Sequence, residues 1–409
     1  MHNRKLLILA LLFVTSISSA LAQSPTNSPY SRYGYGQLSD ATLGSTSGMG
    51  GASIGMRRNN QINPSNPASY SAIDSTTFLF EFGVSLQNGI FTEGVNKESK
   101  PNGGIDHLAI QFPLIKGMGA SVGLLPYSNV GYQFGNSISN GGLTGTTTYG
   151  GEGGLSLAYF GLAATPFKGI SLGANFNYVF GTISNSSYIT NNNSASTVTK
   201  ILQLHQRGFK PDFGVQWFKS FSKEQSLSIG LTYTPKIKLS GTLDSVHIVG
   251  DSSKTFALDR KYELAETIGI GADWQMNNHW SFVANGLYQK WNDAAFGNQI
   301  ATLSNRLKLA AGAEYTPNVN GRRYFQHVKY RFGGYMSDNY SNAKGSSAKE
   351  YGAGFGFGLP FKGTKSMLNI SFDYSKLAPS NSSFIKEEYF KFTLNLTFNE
   401  FWFFKRSID

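Results

Sequence analysis

Two stretches, LNISFDY at 368–374 and FKFTLNLTF at 390–398, alternate apolar and polar residues without a break. Successive side chains of a strand point to opposite faces, so each stretch makes a ribbon with one apolar and one polar side. LSIGLTY at 227–233 and YGAGFGFGL at 351–359 repeat the pattern, the second with glycine on the inner side. Past the first two dozen residues no run of 18 or more apolar residues occurs, so the chain offers no transmembrane helix. Candidate strands fall at about 76–87, 104–113, 117–130, 153–165, 168–182, 200–220, 225–240, 260–275, 279–292, 303–316, 323–335, 347–360, 364–378 and 387–399. Their connections alternate. Short turns near 115–116, 167–168, 221–223, 276–278, 317–320 and 361–363 are interleaved with long polar segments such as 131–152, 183–199 and 241–259. Short turns at one end and long loops at the other are the pattern of an outer-membrane barrel, and a soluble sandwich has no reason to keep that parity. The expected fold is all-β: an antiparallel transmembrane β-barrel of about fourteen strands.

Composition agrees, with 31 Phe, 21 Tyr and 47 Gly beside only 14% charged residues. The opening MHNRKLLILALLFVTSISSALAQS has a basic start at Arg4 and Lys5, an apolar stretch and an Ala20-Leu21-Ala22 box, the pattern of a cleaved secretory signal over 1–22. Cysteine is absent, which excludes disulfides, thiolate chemistry and cysteine-ligated metals. The formal charge of +11 falls to +9 without Arg4 and Lys5. Acidic lipid of the outer leaflet is a fitting partner for that surplus. Nucleic acid is not, because no compact Lys/Arg cluster interleaved with aromatics occurs.

Residues 23–75 precede the first strand and contain GSTSGMGGASIG and then QINPSNPASY, with two Asn-Pro pairs. Proline removes a backbone donor and biases its predecessor away from helix, so this segment is neither helix nor central strand. A fourteen-stranded barrel encloses more space than its wall side chains fill. The segment is expected to fold inside as a luminal hatch; the rival is a tail lying free in the periplasm. Gly48-Met49-Gly50-Gly51-Ala52 followed by Asn66-Pro67-Ala68, ahead of a barrel over 76–409, resembles the FadL-like outer-membrane transporters. These have a glycine-rich hatch ending in Asn-Pro-Ala, fourteen strands, and hydrophobic compounds such as fatty acids or toluene as ligands. The resemblance implies hatch or gating roles for Gly48, Gly50, Gly51, Asn66, Pro67 and Ala68. The pair Asn63-Pro64 is an addition that the family pattern does not require. FadL-like barrels release ligand sideways through a kink in the third strand, and the matching positions here are Gly123, Pro126 and Gly131. Proline within a strand is costly in lipid unless the wall opens there. Alternatively the strand ends at Leu125 and Pro126 meets water at the rim. The ending FNEFWFFKRSID resembles members of the family from the Bacteroidetes group, which also includes a protein-secretion shuttle barrel.

Alternation places Asp212, Asp273, Arg306, Lys308, Glu314, Lys329, Arg331, Asp373 and Lys391 on the inner face. Luminal charges of both signs pair with one another or with a plug. The alternative is that Arg306, Lys308, Lys329 and Arg331 hold the carboxylate head group of a ligand. The six histidines are scattered, Asp106 and His107 are adjacent and so expected on opposite faces, and no nucleophile elbow or paired-carboxylate site stands out. No catalytic residue, metal or cofactor is therefore expected. Trp217, Trp274, Trp280, Trp291 and Trp402 suit interfacial girdles. Two functions fit a Gram-negative outer-membrane barrel of this kind. The first, and the reading preferred from the sequence, is passive transport of a hydrophobic small molecule such as a fatty acid or aromatic hydrocarbon with lateral exit, favoured by an apolar lumen. The other is a scaffolding subunit of a secretion or assembly complex that binds outer-membrane or secreted proteins, favoured by a closed lumen and large ordered loops.

Overall fold

A computed structural model describes residues 25–140, 143–191, 197–249, 252–297, 302–342, 347–381 and 384–401. The expected signal over 1–22, Trp402 and most of the C-terminal FNEFWFFKRSID lie outside them. The wall is an antiparallel barrel of fourteen strands. They are β1 (Thr77–Glu93), β2 (Asn96–Ile115), β3 (Met118–Asn140), β4 (Leu143–Phe167), β5 (Ile170–Asn191) and β6 (Thr197–Ser220). A seventh, β7, runs through Gln225–Thr234 and Ile237–Val249, and β8 through Ser252–Leu258, Tyr262–Leu264 and Glu266–Met276. The rest are β9 (Trp280–Lys290), β10 (Arg306–Tyr315), β11 (Lys329–Asp338), β12 (Ala348–Pro360), β13 (Met367–Pro379) and β14 (Lys386–Phe401). Pairing of β1 with β14, from Thr77 opposite Phe401 to Thr92 opposite Lys386, closes the sheet between its first and last strands.

The alternation is realised as expected. Ile170, Leu172, Phe176, Tyr178 and Phe180 of β5 are exposed on the outside, while Ser171, Asn175 and Asn177 between them are buried inside. Trp217 and Trp274 are exposed at 40% and 46%, as a girdle requires. Trp291 is not a girdle residue: it is fully buried and packs its ring 4.8 Å from Tyr340 and 5.9 Å from Tyr35. It follows β9 in a short 3-10 turn that folds back over the barrel mouth.

Two expectations about connections are corrected. The described parts of 131–152 and 183–199 are paired strand rather than loop: β3 and β4 stay paired from Tyr132 opposite Gly151 to Asn140 opposite Leu143, and β5 with β6 to Thr190 opposite Thr197. In 241–259, β7 and β8 pair from Leu243 opposite Leu258 to Val249 opposite Ser252. Strands of about 10 residues cross a membrane, whereas β2 to β6 have 20 to 25. The surplus stands beyond the bilayer as ribbons wet on the outside, where alternation is no longer needed. The other correction is at the turn end. Residues 323–328 do not belong to a strand; β11 starts at Lys329, and Tyr324–Gln326 form a 3-10 turn.

Most of residues 26–73 are buried against inward-facing wall residues. Tyr35, Leu43, Ile62 and Tyr70 pack in one apolar cluster with inward wall residues such as Leu79, Leu125, Val130, Leu155 and Val179. Met49, Ala52 and Met56 form a second with Val283 and Ala310.

Candidate functional site

The motif Asn66-Pro67-Ala68 works as a capping device. The Asn66 side-chain oxygen accepts from the Ala68 amide at 3.1 Å and starts the 3-10 helix Pro67–Ala72, with proline at the position whose donor is not needed. Its amide nitrogen donates to the Ile54 carbonyl at 2.9 Å, so one buried side chain ties the helix start to the chain twelve residues earlier. Asn63 does the same one turn before, donating to Ser53 and Met56 carbonyls at 2.8 and 3.1 Å, and Pro64 accepts from wall residue Asn175 at 3.2 Å. The additional Asn-Pro pair is a second clamp.

Close approach to the wall is possible because the wall presents glycine there. A Cβ on Gly230 would lie 2.1 Å from the Ile54 oxygen, and one on Gly173 2.5 Å from the Ala68 nitrogen. Gly50 needs its identity twice, having φ +66° and passing 2.5 Å, measured from a notional Cβ, from the Gly334 carbonyl. Gly51 is also left-handed, at φ +77°, and its amide closes the turn on the Thr46 carbonyl at 3.0 Å. Gly48 lies where a Cβ would come 2.8 Å from the Gly356 amide nitrogen of β12.

Of the inner charges expected by alternation, Asp373 accepts from the Ser371 hydroxyl at 3.0 Å and the others are ion-paired. Asp40 of the N-terminal segment meets Arg306 at 3.0 Å and Lys308 at 2.5 Å. Burial alone raises the Asp40 carboxyl, but the two cations overcome it and hold it well below the usual carboxylate range. Glu314 takes Lys329 at 2.9 Å and Arg331 at 2.7 Å, and Arg331 also donates to Asn369 at 2.7 Å. Arg58 of the N-terminal segment pairs with Asp273 at 3.2 Å, Lys210 with Asp212, and Lys391 with Asp106 at 3.2 Å. The four cations considered for a ligand head group therefore already have carboxylate partners. Asp40, the partner of two of them, carries no sequence signal because it belongs to no periodic element.

The wall is interrupted between β2 and β3. Their ladder runs from Ile115 opposite Met118 only as far as Leu108 opposite Leu124. Above that rung β2 keeps its pairing with β1, and β3 its pairing with β4. Each edge carries an irregularity: β2 skips Asp106 where it faces Gly83 and Val84, and β3 skips Tyr127 where Pro126 and Ser128 face Ser156 and Leu155. A bulge bends and twists its strand, so two of them on facing edges splay the strands. The bulge also turns Asp106 and His107 to the same side, correcting the expectation of opposite faces: Asp106 bonds Ser85 at 2.7 Å and Lys391, while buried His107 faces Asn395 at 2.8 Å. Strand β3 does not end at Leu125; Pro126 is within it.

The free edge of β3 is taken up from inside. Gln37 and Leu38 pair with Asn129 and Ser128, and the Ser39 amide donates to the Tyr127 carbonyl at 2.9 Å. Gly123 lies in the ladder one rung below the break, and a Cβ there would be 2.6 Å from the Leu108 carbonyl. Gly131 lies higher, and its amide donates to the Ser31 hydroxyl of the N-terminal segment at 3.1 Å. Gly123 thus lies within the paired ladder, while Pro126 and Gly131 both lie on the part of β3 that β2 leaves unpaired. A cavity of about 250 Å³ lies beside the break, bounded by Gly104 and Asp106 of β2, Pro126 of β3, and Asp40 with Arg306 and Lys308 across the lumen. Its lining is largely polar.

Among the described residues no group of three or more His, Asp or Glu is placed to hold a metal. A family model described as BamG matches residues 3–409. No curated protein matches the sequence. Among solved structures, a FadL homologue of Pseudomonas aeruginosa has a TM-score of 0.60 at 12% identity, over 88% of this chain and 99% of that one. The toluene transporter TodX of P. putida gives 0.59 at 13%, over 89% and 99%. The toluene transporter TbuX of Ralstonia pickettii gives 0.57 at 12%, over 87% and 98%. At these identities the likeness is one of fold: a fourteen-stranded outer-membrane barrel of the FadL type, placed in a Gram-negative outer membrane.

Proposed function

The chain belongs to the BamG family, and from that premise and its interior we propose that it is a plugged scaffolding barrel, a subunit of an outer-membrane secretion or assembly complex. The observation that carries this reading is the expenditure of luminal charge: Arg306, Lys308, Lys329 and Arg331 are all engaged by Asp40 and Glu314. An anionic head group entering there would have to displace a buried carboxylate from paired cations. The paired ribbons of β3 to β8 beyond the lipid offer an extended outer surface suited to partner binding. Mild solubilisation from native membranes tests the reading: the barrel is expected in a stoichiometric particle with other proteins, and recovery as a free monomer at every detergent condition would overturn it.

A second reading is supported by a different observation, the cavity beside the broken ladder between β2 and β3. Passive uptake of a hydrophobic molecule would use that cavity, with Asn66, Pro67 and Ala68 holding or releasing the segment below it and an exit near Pro126. The solved neighbours include transporters described as carrying toluene. Uptake of a labelled hydrocarbon into vesicles, compared between the native barrel and an Asn66→Ala/Pro67→Ala variant at matched abundance, separates the readings. No uptake above empty vesicles leaves the scaffold alone.

A further inference from the structure

The outward apolar stripes stop at one level around β5 to β9, at Phe180, Phe209, Tyr233, Ile268 and Tyr288, all exposed. Trp217 marks the opposite girdle on β6. Ten residues separate it from Arg207, the first outward residue above Phe209. At about 3.3 Å per residue and a tilt near 40° this spans roughly 25 Å, the height of a barrel's apolar band. Arg207 therefore stands at the phosphate level of the outer leaflet.

Elsewhere on this rim cations face acids across strands: Lys290 meets Glu266 at 2.9 Å and Lys376 meets Glu388 at 3.4 Å. The junction of β6 and β7 differs. Arg207 is opposite Ser240, and Lys238 is its diagonal neighbour on the same face. Both are exposed, and neither side chain has an ion-pair or hydrogen-bond partner among the described residues. Glu263 is in register with Lys238, but its carboxylate accepts from the Ala295 amide at 3.0 Å and faces Lys236 at 3.6 Å. Three cations thus share one acid. Directly below them Phe209 is 75% exposed, with Tyr178 at 5.2 Å and Phe180 beyond it.

We propose that Arg207 and Lys238, above the Phe209 and Tyr178 rings, form a binding site for a phosphorylated outer-leaflet glycolipid. The guanidinium and ammonium take a phosphate that no protein carboxylate satisfies, and the rings pack against the first segment of its acyl chains. The site is on the outer wall and is independent of the scaffold and transport readings.

The test uses the whole barrel in nanodiscs containing bisphosphorylated lipid A, its dephosphorylated form, or neither, with retained lipid counted by native mass spectrometry after delipidation. The native protein is expected to retain bisphosphorylated lipid at least tenfold over the dephosphorylated form, on the basis of about one tenfold step or somewhat less per cation. Arg207→Gln/Lys238→Gln is expected to lose that preference, while Arg207→Lys/Lys238→Arg and Lys376→Gln keep it; heat-modified migration verifies that each variant is a folded barrel. Equal retention of both lipids, an unchanged Gln double variant, or full competition by millimolar inorganic phosphate would each overturn the proposal.

Discussion

Replacing Gly230 by alanine tests whether the N-terminal segment is held by backbone contact with the wall. The new Cβ would lie 2.1 Å from the Ile54 oxygen, where real Cβ atoms keep at least 3.0 Å, so segment or strand must move by about 0.9 Å. Ile54 cannot move freely: its carbonyl accepts from Asn66 at 2.9 Å and from Gln216 at 3.4 Å. Stretching both leaves a buried carbonyl poorly satisfied, at about 1–3 kcal/mol, and overpacking adds about 1–3 kcal/mol. Docking of the segment should therefore weaken by roughly 2–6 kcal/mol, which raises its undocked population at least tenfold. Trypsin reports this directly, because half-buried Arg57 and Arg58 are held by the Ala68 carbonyl and by Asp273 while the segment is docked and become readily cleavable when it leaves. Gly286→Ala is the control, since its Cβ would meet only Leu309 at 3.5 Å and Ile270 at 3.7 Å, ordinary packing distances. Equal cleavage rates for native protein and Gly230→Ala, with the barrel intact on an unheated gel, would refute the argument.

Asp40→Asn leaves Arg306 and Lys308 without their carboxylate and should cost about 2–3 kcal/mol of docking, the lower end for a buried pair because the Asp40 side chain keeps 23% exposure. The Asp40 carboxyl is depressed in the folded barrel, so its contribution is complete above the unfolded value of about 3.9 and fades as pH falls below it through the folded value; trypsin replaced by pepsin should see the native segment loosen below about pH 4, and Asp40→Asn should not share that step. Glu314→Gln strands Lys329 and Arg331, the latter only 1% exposed, and should cost about 3–5 kcal/mol of stability, read as a lowered thermal midpoint by tryptophan fluorescence. Asn66→Ala removes the cap and the tie to Ile54 and should destabilise docking by about 2–4 kcal/mol, read by the same cleavage rate.

Legibility in the sequence followed physical demand. Where the wall touches lipid, one face must be apolar, so β13 and β14 announce themselves by alternation. Beyond the lipid the outer face no longer has to be apolar, and Gly/Ser/Thr/Asn-rich stretches such as 131–140 and 143–152 look like loops although they pair with each other. The charges at 306, 308, 314, 329 and 331 were readable as inward by parity, but their partner Asp40 was not. Trp291 has the composition of a girdle residue and the position of a strand end; only the fold-back that seats it against Tyr35 and Tyr340 separates it from Trp274. The bulge at Asp106 leaves no mark in composition, since it shifts register without changing any residue type.

The break between β2 and β3 has to be explained as a compensated structure rather than a missing ladder. Leaving a strand edge unpaired in lipid costs several kcal/mol per orphaned group, so a break tolerated there needs replacement partners or a rim position. Both devices are present. Pro126 offers no amide to orphan, and the next carbonyl along, that of Tyr127, is met by the Ser39 amide from inside. Gln37 and Leu38 then continue the pairing at Ser128 and Asn129. The segment inside the barrel is thereby part of the wall as well as its filling. Any movement that withdrew residues 37–39 would expose the edge of β3, which couples the seating of the N-terminal segment to the integrity of the wall between β2 and β3.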